Sequence, residues 1–264
     1  MSQPADSGYE VEGIAELYDS VTLYRARPDV DFYVEEAQAI KGSVLEVGSG
    51  TGRVLIPIAR LGKEITGVDS SPRMLRCCER RLEAEAPEVR RNVTLVQADM
   101  RDLNLGRRFS IAMIPFRPIQ HLTAVSDQIA ALQAIHRHLE PGGRLVFDVF
   151  NPKLQYLLED RSAEREDTAE VALDDGRSFR RTARVTAVHI VEQYSEVELI
   201  WYVREEDGTT QRLVQGFNMR WYWQYELEHL LARCGFRVKA VFGDFNRSPV
   251  TDISPEMIFV AERT

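Results

Sequence analysis

Short apolar runs alternate with amphipathic stretches through the middle of the chain. The apolar runs have the length of buried strands and lie at residues 43–47, 64–68, 93–97, 109–114 and 144–149. The stretches with helical spacing of apolar residues lie at 54–61, 72–85 and 125–139. Because strands that alternate with helices favour a parallel sheet covered on both faces, the pattern predicts an α/β fold with a doubly wound, mostly parallel sheet.

The two ends of this region follow other patterns. Two amphipathic stretches, 11–20 and 29–40, precede the first strand, and a break at 23–28 that ends with Pro28 separates them. We expect residues 9–41 to form a helical N-terminal segment. Near the other end of the chain, a helix is predicted at 226–234 and strands at 236–242 and 257–261. These strands complete a sheet of seven strands, the last of them reversed.

Residues 153–220 break the alternation of strands and helices. Four consecutive strand-like segments lie at 170–173, 178–190, 194–203 and 211–220. Asp-Asp-Gly at 174–176 and Glu-Asp-Gly at 206–208 are typical of hairpin turns. This region is therefore predicted to be an antiparallel strand insertion within a single domain, 1–264.

Composition and charge narrow the classes of function. The chain has 264 residues and a formal net charge of -8, which disfavours a nucleic-acid partner because phosphate backbones select basic surfaces. Neither a run of membrane-spanning length nor a signal peptide is evident, so we expect no membrane partner and a cytoplasmic location. The cysteines, Cys77, Cys78 and Cys234, lack metal-binding spacing, and no metal is expected.

A glycine-rich segment between the first strand and the first helix of the sheet is the sharpest motif. Its acid and glycines are Glu46, Gly48, Gly50 and Gly52. Glycines there allow a tight turn and the close approach of a ligand. A dinucleotide-binding loop would instead follow G-x-G-x-x-G, whose last position is Arg53 here. The order acid-x-G-x-G-x-G resembles the first motif of class I S-adenosylmethionine-dependent methyltransferases.

The resemblance implies a Rossmann-like methyltransferase fold, S-adenosyl-L-methionine as cofactor and a site at the carboxyl ends of the strands. Asp69, after the second strand, matches the acid that binds the ribose, and Asp99, after the third strand, matches the acid that binds the adenine amino group. Met74 matches an apolar residue that packs on adenine. The remaining cofactor-binding candidates are Ser70 beside Asp69, Met100 beside Asp99, and Ile114 at the end of the fourth strand.

The acceptor side of the site is expected at residues 114–121. This segment lacks the Asn/Asp-Pro-Pro-Tyr/Phe signature of methyltransferases that modify amide or base nitrogens. His121 lies where small-molecule methyltransferases of the family place a candidate base. It could accept a proton from an amine or hydroxyl, because histidine titrates near neutral pH. The alternative is that His121 forms a structural hydrogen bond. Arg117 is interpreted either as an anchor for an acidic substrate or as a surface cation.

Further candidates lie outside the sheet. In the family the N-terminal helices form a lid over the cofactor, so Tyr18 and Arg27 are assigned to the cofactor and Tyr24 to the substrate pocket. Arg220 and Tyr222, at the end of the insertion, are assigned to the substrate because aromatic walls suit a planar or cationic acceptor. The alternative is that the aromatic residues form the insertion's own core or a homodimer contact.

These observations predict methyl transfer from S-adenosylmethionine to nitrogen or oxygen of a small metabolite. One alternative is a non-catalytic S-adenosylmethionine-binding regulator or assembly subunit. Another is a nicotinamide-dependent oxidoreductase, which Arg53 disfavours because a long cationic side chain fits poorly at the last glycine position of a dinucleotide loop.

Overall fold

A computed structural model describes residues 8, 9 and 11–264. The strands are β1 Val44–Val47, β2 Ile65–Asp69, β3 Val93–Gln97, β4 Phe109–Ile114, β5 Leu139–Phe150, β6 Arg165–Ala172, β7 Ser178–His189, β8 Tyr194–Arg204, β9 Thr210–Arg220, β10 Phe236–Phe242 and β11 Glu256–Arg263. The α-helices are α1 Ile14–Leu17, α2 Thr22–Arg25, α3 Asp29–Gln38, α4 Leu55–Arg60, α5 Pro72–Glu83, α6 Pro87–Arg91, α7 Val125–Arg137, α8 Leu154–Leu158 and α9 Gln224–Arg233, and 3₁₀ turns span Tyr18–Ser20 and Pro118–His121.

These elements form two compact units. The larger unit contains residues 28–153 and 221–264, and the smaller unit contains the described residues up to 27 together with 154–220. Within the described part of the chain, no helix is both long and apolar enough to cross a membrane. Cys77, Cys78 and Cys234 are buried and form no disulfide.

The larger unit is built on a seven-stranded sheet of order β10-β11-β5-β4-β1-β2-β3. β1 pairs in parallel with both β2 and β4, whereas β11 runs antiparallel to both β5 and β10. The predicted α/β fold, with its mostly parallel seven-stranded sheet and reversed last strand, is confirmed. The direction of winding changes between β1 and β4, and open α/β sheets bind ligands at the carboxyl ends of the strands at such a point.

Both faces of this sheet are covered by apolar side chains. Val44 and Leu45 are adjacent on β1 and fully buried, yet they join different core clusters because successive side chains of a strand point to opposite faces. One cluster includes residues of α7 and α9, and the other includes residues of α3, α4 and α5. Burial on both faces explains why β1 is apolar at nearly every position, with Glu46 as the exception.

The smaller unit contains the antiparallel sheet β6-β7-β8-β9, which confirms the predicted antiparallel insertion. Its core combines Phe179, Trp201 and Val203 of the sheet with residues of the N-terminal segment. Arg181 is buried in this core, where it donates to both carboxylate oxygens of Asp167 at 2.9 and 3.0 Å. A buried arginine is tolerated here because its charge is paired and hydrogen-bonded.

Several predicted boundaries are wrong. The predicted helix 11–20 divides into α1 and a 3₁₀ turn, and the predicted break at 23–28 contains α2. β5 begins at Leu139, five residues before the predicted start, because Leu139 already pairs with Phe109 ahead of a register shift. β6 also begins earlier than predicted, at Arg165, since its first residues are charged and show no apolar alternation. The short helices α6 and α8 were not predicted.

Candidate functional site

The glycine-rich turn and Asp69 meet at the carboxyl ends of β1 and β2. Gly48 and Gly50 have positive φ angles of 75° and 54°, a conformation that disfavours other residues. The Gly50 amide donates to Oδ2 of Asp69 at 2.8 Å, and the Ser71 amide donates to Oδ1 at 2.8 Å. Both carboxylate oxygens are thus oriented by the main chain. A carboxylate oriented in this way is suited to accept hydrogen bonds from a ribose diol.

The space beside Gly48 and Gly52 is filled by protein. A Cβ on Gly48 would lie 2.5 Å from Cγ of Pro118, and a Cβ on Gly52 would lie 2.6 Å from Sγ of Cys78. The assignment of Gly48 and Gly52 to the cofactor stays a prediction. Their missing side chains allow the turn to pack against Pro118 and Cys78.

Met74 lies beside the glycine turn, and its contact with adenine stays a prediction. Its side chain is buried, and its Cε would lie 3.3 Å from a Cβ on Gly50. Met74 is held in the first turn of α5, whose N-cap is Ser71: Oγ of Ser71 accepts from the Met74 amide at 3.3 Å. Ser70 is exposed and does not cap the helix. Its assignment to the cofactor stays a prediction.

Asp99 lies just beyond β3, next to the strand that carries Asp69. The Ala98 amide donates to the Asp69 carbonyl at 3.1 Å, which fixes where the chain leaves β3. Arg101 donates to Asp99 through its backbone amide and its guanidinium, and the side-chain hydrogen bond lowers the pKa of Asp99. Asp99 is therefore kept as an ionised acceptor, as binding of an amino group requires. Met100 is partly buried against the core.

Glu46 is a buried carboxyl group below the glycine turn. Its side chain is almost completely buried, and Oε2 has no hydrogen-bond partner among the described residues. Burial raises the pKa of Glu46 well above its usual range; Arg53 opposes this shift, while Asp29 and Asp69 reinforce it. A buried polar atom without a protein partner at this position fits a site whose ligand supplies a polar group.

Arg53 forms an ion pair that the sequence did not predict. Its Nη1 and Nη2 donate to the two carboxylate oxygens of Asp29 at 2.5 and 2.6 Å, and Asp29 is fully buried in the first turn of α3. The guanidinium also lies 5.1 Å from the ring centroid of Phe116. The buried carboxylate of Asp29 accommodates the long cationic side chain of Arg53. A dinucleotide-binding loop has glycine at this position and would not need such a partner.

The turn after β4 has an unusual backbone. Phe116 and Arg117 have φ angles of 65° and 73°, and each left-handed non-glycine residue costs about 1–3 kcal/mol, a strain that is concentrated at functional sites. The Phe116 amide donates to Oδ1 of Asp148 at 2.8 Å, and Arg117 donates to Oε1 of Glu256 at 2.6 Å. Arg117 is thus ion-paired and mostly buried. Its role as a substrate anchor stays a prediction.

Three more candidates flank this turn or contact the segment that follows it. Ile114, the last residue of β4, is fully buried. His121 ends the 3₁₀ turn Pro118–His121 and is half-buried. Tyr222 is fully buried in the core of the larger unit, where its hydroxyl donates to the Ile119 carbonyl at 3.3 Å. The roles assigned to these residues stay predictions.

The other four candidates belong to the smaller unit. The rings of Tyr18 and Tyr24 lie 4.7 Å apart, and the Tyr24 hydroxyl accepts from Arg181 at 2.7 Å. Arg220 is buried and donates to the Glu192 carbonyl at 2.5 Å. Arg27 is half-buried. Their assignment to cofactor or substrate stays a prediction.

Comparison with known proteins agrees with this geometry. Residues 44–143 match the family described as "Methyltransferase domain". The chain is 29% identical over 181 residues to the dTDP-3-amino-3,4,6-trideoxy-alpha-D-glucopyranose N,N-dimethyltransferase of Streptomyces venezuelae, covering 66% of this chain and 70% of that protein.

Two solved structures extend the similarity to nearly the whole chain. The CcbJ methyltransferase from Streptomyces caelestis is 25% identical, with a TM-score of 0.78 and coverage of 98% of both chains. The fold is also shared with SAM-bound CalS10, an amino pentose methyltransferase from Micromonospora echinaspora, at 24% identity and a TM-score of 0.69, with coverage of 94% of this chain and 97% of that chain.

The matched domain contains the glycine turn, Asp69 and Asp99, which are the residues that the geometry brings to one edge of the sheet. Residues 44–143 therefore form a methyltransferase domain, and the domain match together with the similar proteins supports an S-adenosylmethionine-dependent methyltransferase of class I.

Proposed function

We propose that this enzyme methylates a nitrogen or oxygen atom of a small metabolite bound at the carboxyl end of β4. The observation that supports this most directly is the hydrogen bond between the Gly50 amide and Asp69, next to the strained turn at Phe116 and Arg117. The first feature fits the donor, and the second borders the strand end at which an acceptor would meet it.

Each residue of the larger unit then has a defined task. When bound, S-adenosylmethionine supplies an electrophilic methyl group on its sulfonium. Asp69 accepts hydrogen bonds from the ribose hydroxyls, and Asp99 accepts from the adenine amino group. Met74 and Met100 provide the apolar surface for the adenine ring. The task left to the acceptor side is to orient the nucleophile and to remove its proton, which we assign to His121.

An amino sugar is the acceptor class that we favour. The Streptomyces venezuelae relative is named for the dimethylation of a dTDP-linked amino sugar, and the structural neighbour CalS10 is described as an amino pentose methyltransferase. An amine that is protonated at neutral pH must lose a proton before it can attack the methyl group. A base beside the acceptor, the role proposed for His121, suits this chemistry.

Radiolabelled methyl transfer tests the proposal. The enzyme would be incubated with S-[methyl-³H]adenosylmethionine and, separately, with a dTDP-linked 3-aminohexose, its 3-hydroxy counterpart, a catechol, a peptide with a free N-terminus and an RNA oligonucleotide. We expect label in the amino sugar and none in the RNA. Label in the peptide or RNA alone would overturn the proposed acceptor class, and Asp69→Ala should reduce labelling of any true acceptor.

The remaining expectations concern surroundings and assembly. We propose a small-molecule acceptor with no nucleic-acid partner, a cytoplasmic location and assembly as a homodimer. The net charge of -8 supports the first of these, because nucleic-acid surfaces are bound by basic faces. Light scattering of the purified enzyme would test the dimer.

A further inference from the structure

The turn after β4 is fixed to its surroundings at four points. The contacts are Phe116 amide to Asp148 (2.8 Å), Arg117 to Glu256 (2.6 Å), Tyr222 hydroxyl to Ile119 carbonyl (3.3 Å) and Phe150 amide to Gln120 Oε1 (3.0 Å). Two of the partners, Asp148 and Phe150, lie on β5, whereas Glu256 begins β11 and Tyr222 lies just before α9. The turn that leads to His121 is therefore anchored at both of its left-handed residues and along the 3₁₀ turn that follows.

Asp148 is the anchor that acts directly on the strained backbone. It lies on β5 and is fully buried. Its Oδ1 accepts two hydrogen bonds, from the Phe116 amide at 2.8 Å and from the hydroxyl of Tyr33 at 2.7 Å. A backbone amide with φ of 65° at a phenylalanine needs such compensation, since that conformation is unfavourable for an aromatic residue.

A closed circuit of contacts connects this anchor to the residue that follows the glycine turn. In order, the members are Asp29, Arg53, Phe116, Asp148 and Tyr33. Asp29 pairs with Arg53 at 2.5 Å, the guanidinium covers the Phe116 ring at 5.1 Å, and Phe116 and Tyr33 meet at Asp148. Asp29 and Tyr33 lie four residues apart on α3, so that both ends of the circuit return to one face of the same helix.

The circuit joins the two sides of the reaction. Arg53 directly follows the last glycine of the donor-binding turn, and Phe116 lies within the acceptor-side segment 114–121. A second contact joins the same two segments, because Pro118 occupies the space where Gly48 lacks a Cβ. The distance between donor and acceptor segments is thereby set by packed, partly buried side chains, and in-line transfer depends on such positioning.

We infer that Asp148 is a positioning residue for methyl transfer, which holds the Phe116–Arg117 turn so that the acceptor-side segment faces the donor. This inference rests on the proposed acceptor site at the carboxyl end of β4. Asp148 acts through the Phe116 amide and takes no part in the chemical step. Its removal should release the turn and slow transfer while leaving most of the donor-binding residues in place.

The test compares Asp148→Ala with Asp148→Asn, which keeps an oxygen acceptor at Oδ1. Hydrogen exchange at the Phe116 amide should be at least tenfold faster in the alanine variant and near that of the unmodified enzyme in the asparagine variant. The dissociation constant for S-adenosylhomocysteine, measured by calorimetry, should change less than threefold in both. With the acceptor found by the labelling panel, kcat should fall at least tenfold for alanine and recover for asparagine.

Leu132→Ala is the matched control for stability, since Leu132 is fully buried in the same unit and is not part of the circuit. Unchanged exchange at Phe116 in Asp148→Ala would overturn the inference. The inference would also be overturned if Asp148→Ala lowered kcat no more than Leu132→Ala does when both variants lose the same melting temperature. If the unmodified enzyme labels none of the small molecules, the proposed function fails, whereas the exchange result still decides whether Asp148 holds the turn.

Discussion

The Gly50 amide donates a 2.8 Å hydrogen bond to Oδ2 of Asp69, which links the glycine turn to the acid that ends β2. Each side orients the other: the amide fixes the carboxylate, and the carboxylate satisfies an amide that the left-handed turn directs away from any helix or strand. A substitution at Asp69 should therefore act in two ways, by removing the acceptor proposed for the ribose and by releasing the turn.

Asp69→Ala should weaken binding of S-adenosylhomocysteine by about 1.5–3 kcal/mol, which corresponds to roughly 10- to 150-fold, because hydrogen bonds to a charged group are lost. Isothermal titration calorimetry of the folded variant measures the change. Asp102→Ala is the control, since Asp102 is an exposed acid on the loop after β3. Equal affinities for Asp69→Ala and the unmodified protein would remove Asp69 from the site.

Glu46 predicts a pH dependence of stability with a definite sign. Burial raises its pKa in the folded chain above the unfolded value of about 4.3, so that the folded state binds the extra proton between these two pH values. The contribution of Glu46 to the free energy of unfolding therefore falls as the pH rises through that window and is constant above it. Glu46→Gln removes the effect, and the variant should gain stability over the unmodified protein as the pH rises above the unfolded pKa of the carboxyl group.

Calorimetric melting without cofactor, recorded at several pH values, measures this difference. Glu36→Gln serves as a contrast, because Glu36 is also buried but pairs with Arg247 at 2.7 Å and with Arg144 at 3.5 Å. Its loss should destabilise the protein near neutral pH. A difference between Glu46→Gln and the unmodified protein that is the same at every pH would contradict the argument.

His121→Ala should slow methyl transfer by roughly 10²–10⁴-fold if His121 removes the proton of the acceptor. Binding of S-adenosylhomocysteine should be unchanged, because the donor is held by other residues. Single-turnover transfer rates measure the first quantity and calorimetry the second. His229→Ala, at an exposed position on α9, is the control and should behave as the unmodified enzyme. Full activity of His121→Ala would exclude the base role.

Arg53→Met should destabilise the larger unit by about 3–5 kcal/mol, because it leaves the fully buried carboxylate of Asp29 without its cation. The double variant Asp29→Asn with Arg53→Met should recover part of this loss. Urea unfolding measures all three proteins. The pair of Arg60 and Glu85, also at 2.5 Å, gives the comparison, because the Arg60 side chain is 58% exposed: Arg60→Met should cost much less than Arg53→Met. Equal costs at the two sites would show that burial of Asp29 is energetically unimportant.

The features of the site that could be predicted from sequence are those set by strand order. Asp69 and Asp99 follow neighbouring parallel strands, and the glycine turn follows β1, so their proximity results from the sheet itself. The sheet could be predicted because its strands are short, apolar and separated by regular helices. The antiparallel insertion was recognisable from its hairpin turns.

The circuit through Asp148 could not be predicted in this way. Tyr33 and Asp148 are 115 residues apart, and Arg53 and Asp29 are 24 residues apart on elements whose packing depends on the whole core. No local pattern distinguishes Asp148 from an ordinary acid at the end of a strand. The left-handed backbone of Phe116 and Arg117 was equally invisible, since neither residue favours that conformation and tertiary contacts impose it.

Each unit has its own tryptophan fluorescence, and Trp201, buried in the core of the smaller unit, is the tryptophan of that unit. The other two tryptophans, Trp221 and Trp223, belong to the larger unit, where the first is buried and the second is 42% exposed. A protein with phenylalanine at 221 and 223 would emit from the smaller unit alone, and one with phenylalanine at 201 would emit from the larger unit alone. The emission spectra of these two proteins during denaturation would reveal whether the units melt in one transition or in two.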